Sequence, residues 1–253
     1  MFDVEIQDTK NWKTCIAAIV NLIKEGAFEI SKDGFTLKAM DPSQIAMVGF
    51  SVDKDNFSEY TVDSKARVGL DIENLSRILS RCRNDDKIRI EYNGGRLEVV
   101  FDNGKCRRNF KLPVIDVPEC PSKELNINYT AIIKMKGSIM KEILKDVALI
   151  GPHVLLVADE DKFKIEASGD NGEVEMVYNK DENIDINTKR TTSAVFSQEY
   201  LNDIIKGCED EGKLEINLGA PTAEDPRPKP LLVRYNIGKA SFSYYLAPRI
   251  ETE

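Results

Sequence analysis

The chain has 253 residues, 42% hydrophobic and 31% charged, with a formal net charge of −8 at pH 7. That is the composition of a folded, water-soluble protein with room for one large core or two small ones, and it excludes disorder over most of the length. No run approaches the roughly 20 apolar residues that cross a bilayer, and the opening MFDVEIQDTK lacks a signal-peptide pattern, so an intracellular protein with no membrane partner is expected.

Period-two alternation begins in FDVEIQ and gives way to helical spacing. Trp12, Ile16, Ile19 and Ile23 predict a first helix over roughly 9 to 24, with Lys10, Lys13, Ala17, Asn21 and Lys24 on or near its other side. Strands resume in AFEISKDGFTLKAM and IAMVGFSV. ARVGLDIENLSRILSRC reads as a strand entering a second helix, roughly 71 to 83, with Ile72, Leu75, Ile78, Leu79 and Cys82 inward and Arg77, Ser80 and Arg81 outward. KIRIEY, RLEVVF and RRNFKLP follow as strands, separated by the tight turns NGG and DNG. PVIDVPECPSKEL, with three prolines, reads as an extended linker. A third helix, roughly 137 to 149, buries Met140, Ile143, Leu144 and Val147 and stacks Lys141 and Lys145 on its far side. VLLVAD, FKIEAS and EVEMVY are strands. TSAVFSQEYLNDIIKGC enters a fourth helix, roughly 197 to 207, with Leu201, Ile204 and Ile205 inward and Asn202 and Lys206 outward, where Glu199 and Asp203 dilute the charge. KLEINL, LLVRYNI and ASFSYYL complete the chain's strands.

The order of elements repeats, and the second helices even end alike, in SRILSRCRNDDK and NDIIKGCEDEGK, so the halves read as copies of one module. The net acidity argues against a nucleic-acid binder, but three basic helical stripes in an acidic chain place positive charge on the helices. Cys15, Cys82, Cys106, Cys120 and Cys208 are odd in number and contain no CxxC, which points to buried free thiols. The one histidine, His153, follows a Gly-Pro turn and reads as a turn residue. Asp85-Asp86, Asp159-Glu160-Asp161 and Glu209-Asp210-Glu211 read as solvated turn acids, and no P-loop, GxSxG or HExxH occurs. No catalysis, metal or cofactor is expected.

Two segments have complementary edges. KCRRNFKL, 105 to 112, alternates Lys105, Arg107, Asn109 and Lys111 with Cys106, Arg108, Phe110 and Leu112. GEVEMVY, 172 to 178, alternates Glu173 and Glu175 with Val174, Met176 and Tyr178. Paired across a subunit boundary they would give a continued sheet, an apolar seam and opposite charges.

LKAMDPSQIAMV at 37 to 48, FKLPVID at 110 to 116 and YYLAPRIE at 244 to 251 resemble the signature segments of the archaeal and eukaryotic sliding clamp family, proliferating cell nuclear antigen. The resemblance runs over almost the whole chain and looks more archaeal than eukaryotic. GAPTAEDPRPKP is longer than the family's usual segment, and the linker has extra prolines and Cys120. The resemblance implies an α+β chain of two similar domains, each β-sheet backed by two helices (the DNA clamp fold), at 1–112 and 126–253 with an interdomain linker at 113–125. Three chains would close edge to edge into a ring with the helices lining the hole. Its function would be to encircle double-stranded DNA of any sequence and tether DNA polymerase, clamp loader, ligase and nucleases, in the cytoplasm or nucleoid of an archaeon or the nucleus of a eukaryote. A subunit of a heterotrimeric clamp and a protein-only scaffold remain alternatives.

The same resemblance turns Lys10, Lys13, Arg77, Arg81, Lys141, Lys145 and Lys206 towards DNA, while Val20 and Leu149 stand where the family often has basic residues. Lys105, Arg107, Arg108, Phe110 and Lys111 would meet Glu173, Val174, Glu175 and Met176 of the next chain. Partners of such clamps present a short peptide with one aliphatic and two aromatic anchors. The pocket implied for it uses Met40, Gln44 and Ile45, then Leu125 and Pro230, then Tyr245, Leu246, Ala247, Pro248 and Ile250. Segments such as AMDPSQI and LAPRI suit this, because their Pro and turn residues do not fit a sheet interior although their side chains are apolar.

Overall fold

The computed structural model describes residues 1–120, 127–188, 190–221, 227 and 229–249. The chain sorts into two compact units: Met1–Pro42, Val48–Ser122 and Ile237–Phe242 form the first, and Ser43–Met47, Lys123–Asn236 and Ser243–Glu253 the second. The elements run β1 (Phe2–Ile6), α1 (Thr9–Val20), β2 (Glu25–Ile30), β3 (Gly34–Met40), β4 (Ala46–Asp53), β5 (Phe57–Val62), β6 (Ala66–Asp71), α2 (Ile72–Leu79), β7 (Lys87–Tyr92), β8 (Arg96–Asp102) and β9 (Arg107–Pro113). They continue with β10 (Ala131–Lys136), α3 (Gly137–Ala148), β11 (His153–Ala158), β12 (Lys162–Gly169), β13 (Gly172–Asn179), β14 (Asp185–Thr188), β15 (Thr192–Ser197), α4 (Gln198–Lys206), β16 (Lys213–Leu218), β17 (Leu231–Ile237) and β18 (Ala240–Leu246). Apart from one 3-10 turn at Lys54–Asn56, the second series repeats the first element for element, as the sequence repeat predicts.

In the first unit, β5-β1-β7-β8-β9 form a five-stranded sheet, and β6, β2, β3 and β4 lie in order in another. In the second, β13-β12-β11-β15 form a four-stranded sheet, and β14, β10, β16 and β17 lie side by side. The helices sit on these sheets by the stripes their spacing defines. Trp12, Cys15, Ile16 and Ile19 of α1 are buried, and the Trp12 ring packs edge-on against Phe35, Phe50 and Phe57 at 5.9–6.3 Å between centroids. α3 buries Met140, Ile143, Leu144 and Val147, and α4 buries Leu201, Ile204 and Ile205.

Helix starts follow from capping chemistry. The Asp8 and Asp71 carboxylates accept from the amides of Asn11 (2.9 Å) and Asn74 (2.8 Å). α3 begins after Lys136, which offers no cap; instead the Gly137 and Ser138 amides donate to the carbonyls of Gly212 and Asp210, both at 2.9 Å. That approach needs Gly137, because a Cβ there would lie 2.3 Å from the Glu209 oxygen.

Several expectations are corrected. α1 ends at Val20 and α2 at Leu79, because Asn21 and Ser80 already act as C-caps; Arg81 therefore lies in the turn beyond α2, and Ile78 is only half-buried. β5, β10 and β14 were not anticipated: β5 buries Phe57 alone, β14 has four residues, and in AIIKMK the outward Ile132 blurs the alternation of Ala131, Ile133 and Met135. Lys105 precedes its strand, in the turn before β9. Cys106 is exposed and Cys120 half-buried, so only Cys15, Cys82 and Cys208 are buried thiols. His153 opens β11 instead of occupying a turn.

Asp86 is the largest departure. Expected in solvent, it is 4% exposed, because the Arg108 guanidinium ion-pairs with it and the Arg83 amide donates to it at 2.6 Å. Arg108 also donates to the Arg81 carbonyl at 3.1 Å and lies 5.1 Å from the centre of the Phe101 ring. Removing Asp86 takes the carboxylate from an Arg108 side chain that is 23% exposed and can still reach water. Asp86→Ala is therefore expected to destabilise the chain by about 1–3 kcal/mol, read as a lower urea midpoint at unchanged slope.

Candidate nucleic-acid interface

Each unit turns the polar sides of its two packed helices away from its sheets. In the first, Lys10, Arg77 and Arg81 are exposed, while Lys13 is half-buried and donates to the Cys82 carbonyl at 3.3 Å. Arg77 reaches only the neutral Asn74 amide oxygen, at 3.4 Å. None of these four forms an ion pair among the described residues, so their charge is uncompensated. Arg83 is exposed just beyond the α2 turn and was missed because the helical stripe ends before it.

The second unit differs. Lys141 is half-buried and bonded to Asp210 at 2.8 Å, and Lys145 is bonded to Glu142 at 2.6 Å. The hydrogen bond from Lys141 holds the Asp210 carboxyl below the usual carboxylate range. Lys206 is exposed, beside Asp203, whose carboxyl desolvation pushes up. Leu149, at the C-cap of α3, is 70% exposed, and Val20 is half-buried. Of the expected basic residues, Lys10, Arg77, Lys145 and Lys206 are exposed on the helices, Arg81 is exposed in the turn beyond α2, and Lys13 and Lys141 are half-buried; neighbouring acids neutralise two of the three in the second unit.

The strand edges sort themselves. β6 ends its sheet, yet its Gly69 carbonyl accepts from Ile115, so chain following β9 covers it. β15 ends the four-stranded sheet, and the Arg249 amide donates to its Val195 carbonyl at 2.8 Å. β9 and β13 are edge strands of seven and eight residues. On β13, Val174, Met176 and Tyr178 share one half-buried face, and Glu173, Glu175 and Val177 share the exposed one. On β9, Phe110 is half-buried beside Phe101, and Arg107, Asn109 and Lys111 are exposed. Several edge charges are already paired: Lys111 with Glu98 at 3.4 Å, Arg107 with Glu91 at 3.9 Å, and Glu175 with Lys164 at 3.1 Å. Arg108 is turned onto Asp86, so its charge is used within the unit and not at the edge.

In the second unit, the Ala247 amide donates to the Ile45 carbonyl at 2.8 Å, joining the AMDPSQI and YYLAP segments. Ile45 is 39% exposed, Gln44 adopts φ 59°, and Tyr245, Ala247, Pro248 and Pro230 are half-buried. Leu246 is corrected: at 1% exposure it belongs to the core, because β18 alternates and turns it inward. Met40, in the first unit, is 37% exposed. Leu125 and Ile250 lie outside the described residues, as do 121–125 of the linker. No helix among the described residues is long and apolar enough to cross a membrane.

Duplicated modules in which paired helices back β-sheet constitute the DNA clamp fold. Sequence profiles for the N-terminal and C-terminal domains of proliferating cell nuclear antigen match residues 1–119 and 124–250. The DNA polymerase sliding clamp of Methanococcus maripaludis is 32% identical over 253 residues, covering 97% of this chain and 98% of that protein. That of Thermococcus gammatolerans is 28% identical over 254 residues, covering 99% of each. A crystal structure of PCNA from Thermococcus kodakaraensis superposes with a TM-score of 0.87 at 25% identity, over 98% of this chain and all of that one. The chain belongs to the proliferating cell nuclear antigen family.

The Lys141–Asp210 contact gives a direct test of charge compensation. In Lys141→Ala the Asp210 carboxyl should titrate back towards the ordinary carboxylate range in a carbon-13 titration, while in Lys145→Ala it should move less, Lys145 being the weaker of its two cationic influences.

Proposed function

We propose that this DNA polymerase sliding clamp closes as a ring of three identical chains around duplex DNA, the β9 edge of one chain pairing with the β13 edge of the next. The carrying observation is that two edge strands of nearly equal length, one predominantly basic and one acidic, lie in different units. Such a contact is heterologous, and it yields a closed ring when its rotation closes. In this reading residues 1–112 and 126–253 are the two clamp domains and 113–125 connects them. Phe110 meets Val174 and Met176 in an apolar seam. Arg107 and Lys111, with Lys105 beside them, face Glu173 and Glu175.

Lys10, Lys13, Arg77, Arg81, Lys141, Lys145 and Lys206 attract the phosphates without reading bases, so the ring is indifferent to sequence and slides. DNA polymerase, clamp loader, ligase and nucleases dock a short peptide on the second unit at Gln44, Ile45, Pro230, Tyr245, Ala247 and Pro248. The chain tethers and does not catalyse, and it works inside the cell, where the DNA is.

Size-exclusion chromatography with light scattering tests closure: the wild type is expected at three chains. The double variant Glu173→Lys, Glu175→Lys is expected to be a monomer, partly rescued by Arg107→Glu, Lys111→Glu. A monomeric wild type points to a heteromeric ring, and a trimeric double variant removes the β9–β13 pairing.

The charge distribution gives a second expectation. Replacing Lys10, Arg77 and Arg81 together by Ala should lower the slope of log K against log salt by up to about 2–3 per chain of the ring, at roughly 0.9 for each phosphate no longer neutralised. Replacing Lys141 and Lys145 together should change it by less than about 1 per chain, because Asp210 and Glu142 already compensate them.

A further inference from the structure

A cleft of about 600 Å³ opens in the first unit where α1 begins, between the β1–α1 connection, the 3-10 turn and the turn that joins β17 to β18. That volume lies in the range of ligand-sized clefts. The β17–β18 turn comes from the far end of the chain, yet Ile237–Phe242 belong to the first unit. Val52, Trp12 and Phe57 give the cleft an apolar lining, and its charged residues are Asp8, Lys10 and Lys239.

One close approach seats the turn against the helix. Gly238 takes φ 56°, and a Cβ there would lie 2.4 Å from Asn11 Nδ2, so the position needs glycine both for its conformation and for its clearance. Asn11 is itself fixed: its amide and its Nδ2 donate to the two carboxylate oxygens of Asp8, at 2.9 and 2.8 Å. Lys239, the residue after Gly238, is thereby held at the first turn of α1, on the same cleft as Lys10.

The charge on this cleft is one-sided. Asp8 is its one acid among the lining residues, and both Asp8 oxygens are engaged in capping α1. Lys10 and Lys239 are exposed and form no ion pair among the described residues. In a chain of net charge −8, two uncompensated cations on one cleft with no free acid between them define a surface for an anion. The start of α1 adds potential of the same sign. The surface is also continuous in character with Arg77 and Arg81, the other exposed and unpaired cations described above in this unit.

We infer that Lys239 is a further DNA contact: the β17–β18 turn extends the basic surface of the first unit beyond its helices, and a backbone phosphate of the encircled duplex lies between Lys239 and Lys10. The inference rests on the reading that Lys10 faces DNA. An ammonium at the end of a flexible stem suits a phosphate contact that moves along the duplex, because it acts as a point charge and carries no base readout. Lys239 belongs to no helical stripe, so no periodicity in the sequence marks it.

The test uses the full chain and a linear duplex, which enters an assembled ring from its end, with lysine acetylation read residue by residue by mass spectrometry. The duplex should protect Lys10 and Lys239 together and leave Lys162, exposed at the start of β12, as reactive as in the free protein. In Lys239→Ala the slope of log K against log salt should fall by up to about 0.9 per chain, the share of one phosphate, and Lys239→Arg should restore it. Oligomeric state should be that of the wild type in both. Protection of Lys10 without Lys239, or an unchanged slope in Lys239→Ala, would overturn the inference and leave the DNA-facing reading of α1 intact. Equal protection by inorganic phosphate at matched phosphate concentration would overturn it by reassigning the cleft to a small free anion. Equal protection of Lys162 would overturn it by showing that the duplex shields lysines indiscriminately. If the duplex binds and protects neither Lys10 nor Lys239, the DNA-facing reading of Lys10 fails and takes the inference with it.

Discussion

An apolar stripe on a helix has to be removed from water, and in this chain that constraint settles the direction of nearly everything else. Trp12, Ile16 and Ile19 on α1 and Met140, Ile143, Leu144 and Val147 on α3 are buried on sheet. Each buried side chain of this kind contributes roughly 1.5–3 kcal/mol, far more than an exposed lysine gains from any surface partner. The apolar side therefore dictates the orientation, and the cations at the remaining helical positions are carried outward as a consequence. A chain of net charge −8 can in this way present a locally basic surface: folding separates charges that composition averages.

The second constraint is that strand edges leave backbone donors and acceptors open. Two edges are met by the chain itself. Ile115 bonds to β6 at Gly69, and Arg249 bonds to β15 at Val195. β9 and β13 instead carry charge on one face and half-buried apolar residues on the other. Charge alone is a common guard against unwanted pairing, but a guarded edge has no use for Phe110, Val174 and Met176 at the same positions. The combination suits an edge that accepts one partner and rejects others.

What the sequence revealed and what it hid divide along one line. Period-two strands, the four helices, the inward residues of α1, α3 and α4 and the duplication were legible because each depends on residues a few positions apart. The rest depends on contacts far along the chain. Asp86 looks like a solvated acid until Arg108, 22 positions away, is placed upon it. Lys141 looks like a free cation until Asp210, 69 positions away, reaches it. Leu246 reads as a pocket residue, because YYLAP does not say where β18 ends. Arg67 carried no signal at all; its partners are main-chain carbonyls about fifty residues on, and carbonyls are invisible to any pattern of side chains.

These long-range pairings also bear on how firmly a ring could hold DNA. On α3 of the second unit Lys141 and Lys145 are engaged by carboxylates of the same unit, whereas Lys10, Arg77 and Arg81 of the first form no ion pair among the described residues. In the proposed ring, phosphate would have to displace Asp210 or Glu142 before it gained Lys141 or Lys145, so those contacts would be weakened by the competing pair. A tether that must move along its track benefits from this. Counterion-mediated attraction to phosphate keeps the duplex near the helices without fixing a register, and contacts with a built-in intramolecular competitor are released as easily as they form. In the proposed ring the retention would then come from closure of the edges and not from the depth of any one electrostatic contact.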